Sequence, residues 1–177
     1  MRRFTRLYLE LDGTTSTSAK TEALAAYFRA APAEDAAWAV ALFVGERPKG
    51  SASSRAVTAL ALEASGLPRW MFDECRAAVG ELSETIALLL PADPGLKPSD
   101  EPLSAVIRDR VRPLAGASES ERAAIIRSAW DGFDREQRFV YLKLIRGGFR
   151  VGVQKRMLSR ALAAVAGIEP AVMEHRL

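Results

Sequence analysis

Apolar residues recur at three- and four-residue spacing along almost the whole chain, and alternating runs of β-branched residues are nearly absent. A side chain returns to one face of a helix every 3.6 residues but to one face of a strand every two, so this spacing favours helices and leaves little material for a sheet. Phe4, Leu7, Tyr8 and Leu11 form the first stripe, which Asp12-Gly13 stops. The polar cluster Thr14–Ser18 supplies a cap for a second helix carrying Leu24, Tyr27 and Phe28. Pro32 opens a third with Trp38, Leu42 and Phe43. A loop from Val44 to Ser54 leads to a helix capped by Ser53 or Ser54 and ended by Gly66. Pro68 opens a helix that reaches Gly80, and a further one runs from Glu81 to Leu90.

Pro91, Pro94, Gly95, Pro98 and Pro102 follow within twelve residues, a density of helix breakers that no helix survives. This stretch, 91–102, is the best candidate linker between residues 1–90 and 103–177. Beyond it, Leu103, Val106, Ile107 and Val111 mark a helix up to Pro113. Ser118 and Glu121 form a capping-box pattern ahead of Ile125, Ile126, Ala129 and Trp130, and Asp134 caps the next helix. The expectation is an all-α fold of roughly ten helices, either one compact domain or two helical subdomains joined by the proline-rich linker. Trp38, Trp70 and Trp130 fall at helical spacing and are expected in the core, and Cys75 is expected as a small buried hydrophobe.

Several chemistries are excluded on composition. One cysteine permits no internal disulfide, and the lone His175 permits neither a histidine triad nor a histidine-rich metal site. No Gly-Lys pair exists to build a nucleoside-triphosphatase phosphate loop. The first residues lack the apolar core of a signal peptide, and no apolar run is long enough to span a membrane. Glu81 and Glu84 share a helix face, which reads as solvated surface.

The net charge is only +3, but the basic residues are concentrated. Seven lie between Arg138 and Arg160, and no acidic residue occurs from Gln137 to Ile168. Within that window Gly147 and Gly148 break an amphipathic run, and Gly152 precedes its restart. Arg146, Arg150, Lys155 and Arg156 surround the turn. Free backbone N–H groups beside cations, with no carboxylate to oppose them, suit a phosphate. The residues alone leave open a plain helix stop with a solvated basic face. Phe149 is expected to anchor the loop on the core rather than to wedge a groove. A second loop, Gly45–Arg55, brings Lys49, Ser53, Ser54 and Arg55 together at a helix start, with an ordinary capped turn as its simpler reading.

Leu144–Val153, with Lys155-Arg156 and the helix Leu158–Ala166, resembles the signature segment of the N-terminal DNA-binding domain of ATP-dependent DNA ligases. Phe4–Asp12, Gly66–Cys75 and Val79–Pro91 resemble bacterial members, so the similarity runs in order over nearly the whole chain. It implies a helical domain that grips the minor groove on both sides of a nick, without sequence preference, in DNA replication, repair and recombination. The residues expected to do so are Arg146, the N–H groups of Gly147 and Gly148, Arg150, Gly152, Lys155 and Arg156 as one phosphate clamp. Lys49, Ser53, Ser54 and Arg55 would form a second. The implied partners are nicked double-stranded DNA and the catalytic domains of the same parent chain. A cytoplasmic, nucleoid-associated monomer without membrane contact is expected.

The Lys-x-Asp-Gly adenylation motif of complete ligases has no counterpart: Asp12-Gly13 and Asp131-Gly132 carry Glu10 and Ala129 where the lysine would stand. The expectation is therefore no catalytic residue, cofactor or metal in these residues. ATP and Mg would serve the full-length ligase through nucleotidyltransferase and OB-fold domains beyond Val172–Leu177. Gly50-Ser-Ala-Ser53 departs from the bacterial pattern. Two rival readings stand beside this one. One is a helical protein–protein module that turns the same basic face to an acidic partner. The other is an enzyme using Glu81 and Glu84, which lacks any nucleophile–base or metal constellation.

Overall fold

The computed structural model describes residues 1–92, 95–149 and 151–177, so Pro94 and Arg150 lie outside the described residues. The fold is all-helical. In chain order the helices are α1 (Arg2–Asp12), α2 (Thr17–Ala30), α3 (Ala33–Phe43), α4 (Ser54–Ser65), α5 (Arg69–Val79), α6 (Leu82–Leu89), α7 (Leu103–Val106), α8 (Glu119–Gly132), α9 (Arg135–Arg146), α10 (Lys155–Ala166) and α11 (Pro170–Arg176). The expected caps form. The hydroxyls of Ser16, Ser53 and Ser118 and the carboxylate of Asp134 accept N–H bonds at the starts of α2, α4, α8 and α9, and Ser118–Glu121 is a full capping box. No described residue between Leu90 and Leu103 is helical.

The chain forms two compact units whose boundaries do not follow the proline-rich stretch. The first comprises Met1–Arg47, Asp100–Ser104 and Phe149–Leu177; the second comprises Pro48–Ser99 and Ala105–Gly148. Prolines block helix locally, but which helices share a core is decided by their apolar faces. In the first unit α10 packs against α2, α3 and α11. It buries Met157, Leu158, Ala161 and Ala163, with Leu24, Ala25, Tyr27 and Phe28 buried on α2. Full burial of a side chain such as Leu158 is worth about 2 kcal/mol. The buried Asp35 of α3 caps α7 from outside its own helix, accepting from the N–H groups of Leu103 (3.1 Å) and Ser104 (2.9 Å) and the Ser104 hydroxyl (2.7 Å).

The second unit is built on α9, which buries Val140, Tyr141, Leu142, Leu144 and Ile145 and packs against α6. Its buried Arg138 donates to the carbonyls of Trp130 (2.6 Å) and Pro91 (2.8 Å). Gln137 makes reciprocal bonds with the backbone of Ser99 at 2.7 and 2.8 Å. The helix expected to run unbroken to Pro113 changes pitch instead: α7 gives way to a π turn over Ile107–Val111 and a 3₁₀ turn over Arg112–Ala115. Pro113 has no N–H for the carbonyl four residues earlier, and the Tyr141 hydroxyl donates to the Arg110 carbonyl at 2.9 Å.

The aromatic expectations divide. Trp130 is buried and Trp38 half-buried, but Trp70 is 65% exposed, contrary to its expected place in the core. Phe72 is the buried residue of α5. Two positions along a helix rotate a side chain by about 200°, so Trp70 and Phe72 cannot face the same way. Cys75, expected buried, is half-buried.

Candidate nucleic-acid interface

In the second unit the start of α4 and the end of α9 meet. The Ala52 N–H donates to the Ile145 carbonyl at 3.0 Å, which ties the preceding loop to α9. The Ser53 hydroxyl caps α4 by accepting from the Ala56 N–H at 3.1 Å. Arg146, at the last turn of α9, donates to the hydroxyls of Ser54 (3.1 Å) and Ser83 (2.8 Å) and to Glu81 Oε1 (3.3 Å). Arg146 and Ser54, expected in two separate clamps, are therefore hydrogen-bonded to each other.

Glu81 sits at the centre of this group. Its carboxylate caps α6 through the Glu84 N–H at 2.8 Å and pairs with Lys143 and Arg146, each at 3.3 Å. Partial burial raises its pKa, but the backbone N–H groups of Glu84 and Ser83 and the charge of Lys143 outweigh this and hold it below the ordinary carboxylate value. Arg146 is thus largely occupied within the protein, and its side chain is only 21% exposed.

Gly147 ends α9 with φ of 75°, a left-handed conformation that glycine adopts without penalty. The N–H groups of both Gly147 and Gly148 donate to the Lys143 carbonyl, at 2.9 and 3.1 Å. They form a Schellman-type helix stop, which corrects the expectation that they would be offered to a phosphate. Lys49 and Arg55, on either side of the Ser53 cap in sequence, are exposed and have no partner among the described residues.

The first unit holds the rest of the segment. The Phe149 ring lies 5.8 Å from that of Phe4 and 5.2 Å from that of Tyr8, so it anchors the loop on α1 as expected. Val151 is buried, Gly152 is exposed with φ of 68°, and α10 starts three residues later. That start is electrostatically unusual. No side chain caps it, its first turn has no acidic residue, and Lys155 and Arg156 occupy its first two positions. The partial positive charge of a helix N-terminus disfavours cations there by some 0.3–1 kcal/mol each. Lys155, Arg156 and Arg160 are all exposed, with no partner among the described residues.

Residues 1–163 match the family model described as DNA ligase N terminus. The chain belongs to that family. No curated protein matches it. The family is the N-terminal domain of ATP-dependent DNA ligases, so the ligase reading of Leu144–Val153 holds at the level of the family. ATP and a metal belong to the full-length enzymes of this family. Neither Asp-Gly pair carries a lysine two positions before its Asp, where the adenylation lysine would stand. Among the described residues no three His, Cys, Asp or Glu side chains gather to hold a metal, and no helix is long and apolar enough to cross a membrane.

One residue of this ligase domain escaped the sequence reading. Lys20, on α2, is only 7% exposed, and its ammonium donates to the Val151 carbonyl. The signal was present, because Lys20 lies on the stripe of Leu24, Tyr27 and Phe28 at helical spacing. A lysine on the apolar side of a helix needs a local reason.

Proposed function

We propose that this ligase domain binds duplex DNA through backbone phosphates, without sequence preference, and so holds a nick in place for the parent enzyme's sealing chemistry. The observation that carries the reading is the start of α10, where two exposed cations crowd an uncapped helix N-terminus with no acidic residue in its first turn. Such a start costs stability in isolation and favours an oxyanion, because free N–H groups, helix dipole and side-chain charges all point one way. In the first unit the contacts are Gly152, Lys155 and Arg156, with Arg150 adjoining in sequence. In the second they are Lys49, Ser53, Ser54 and Arg55. Arg146 aligns the start of α4 through Ser54, and its charge reaches a phosphate only in competition with Glu81. No step of adenylation or strand joining falls to these residues.

The test is a titration of nicked and intact duplexes of unrelated sequence over a range of salt. Lys155→Ala/Arg156→Ala should weaken binding evenly across sequences and flatten the plot of log affinity against log salt by roughly one unit per lost phosphate contact. Arg55→Ala should do so by roughly one. No binding at low salt would sink the reading and favour a protein-binding module that turns the same basic face to an acidic partner.

A further inference from the structure

The buried ammonium of Lys20 has a partner but no counter-charge. Its hydrogen bond goes to the Val151 carbonyl, and no carboxylate pairs with it among the described residues. Lysines are almost never fully buried unless paired, because removing the charge from water costs several kcal/mol that one neutral acceptor does not return. The loop above it is shaped to admit the charge. A Cβ built at Gly152 would stand 3.0 Å from Lys20 Nζ, so a side chain there would crowd the ammonium. Phe149 fixes one end of this loop on α1, and α10 begins at the other with Lys155 and Arg156.

We infer that Lys20 is a positioning residue for phosphate contact. It fixes the Val151–Gly152 loop from below, and this sets the direction in which the first turn of α10 presents its N–H groups and cations. The inference rests on the DNA-binding reading above. It gives a reason for a charge at a core position: the ammonium holds the loop that aims the start of α10.

The experiment compares the wild-type chain with Lys20→Met and Lys20→Arg, by thermal unfolding and by binding of a nicked duplex. Methionine keeps the buried stem but removes the charge and the donor to Val151, so duplex affinity should fall roughly tenfold at low salt, while a retained cooperative thermal transition shows that the fold persists. Arginine, which keeps donor and charge, should retain most of the affinity. Added to Lys155→Ala/Arg156→Ala, Lys20→Met should cost little more, because it acts through those two residues. Unchanged affinity of Lys20→Met, or a loss fully additive with the double variant, would each overturn the inference. Failure of the wild-type chain to bind duplex at all would instead remove the reading on which it rests.

Discussion

At Gly50 a methyl group has nowhere to go. Its φ is 121°, and a Cβ would lie 2.0 Å from the Val111 carbonyl oxygen and 2.9 Å from its carbon, both backbone atoms that cannot swing aside. Gly50→Ala should therefore destabilise the protein by about 2–4 kcal/mol, combining a strained backbone with a steric clash. Chemical denaturation would check this, and a midpoint within error of wild type would contradict it. The sequence displays a glycine here, but only the fold displays the Val111 backbone pressed against it. Single-residue roles were legible where the reason was local. Ser53, Ser118 and Asp134 cap the helices that follow them. They were illegible where the partner is distant in sequence. Of the basic cluster, Arg138 is committed to interior carbonyls and Lys143 and Arg146 to Glu81. Counting charges along the chain could not separate these from the exposed Lys155, Arg156 and Arg160.

Helix ends, more than helix faces, decide how the second unit is joined. Glu81 caps α6 and draws in two cations from the last turns of α9, while Arg146 carries the link on to α4 through Ser54. Because the folded carboxyl titrates below its unfolded value, its stabilisation is complete above the unfolded pKa and disappears as pH falls through the folded one. Glu81→Gln should accordingly cost about 0.5–1 kcal/mol near pH 7, a figure reduced by the solvent around a partly exposed group. The difference from wild type should shrink towards zero below about pH 4. Unfolding measured across that range is the check, and a pH-independent difference would show that the carboxylate's charge is not what matters. At this scale most helices were legible, because capping residues and apolar spacing act within a few residues. The π and 3₁₀ turns after α7 were not: Pro113 marks where the helix stops, but the Tyr141 hydroxyl that meets the Arg110 carbonyl comes from another helix. Nor was the outward face of Trp70, masked by a run of three large apolar neighbours of which a helix can bury only part.

Across the whole molecule, the chain passes from one unit to the other at 47/48, 99/100, 104/105 and 148/149. Neither unit is a continuous segment, so fragments 1–90 and 103–177 each contain parts of both and a complete set of neither. Each fragment expressed alone should lack a cooperative thermal transition, and a sharp unfolding curve from either would show that the proline-rich stretch divides the fold after all. The class of the fold was legible because helical periodicity pervades the sequence, and the family because its signature segments occur in order. The partition into units was not, because it depends on α10 returning to pack against α2, more than a hundred residues earlier in the chain. Those four crossings also bear on how such a domain can change over time. A single genetic crossover between residues 48 and 148 would join part of each unit to a foreign complement, leaving two mismatched cores. Exchange between related genes should therefore be tolerated at the margins of this region more readily than within it.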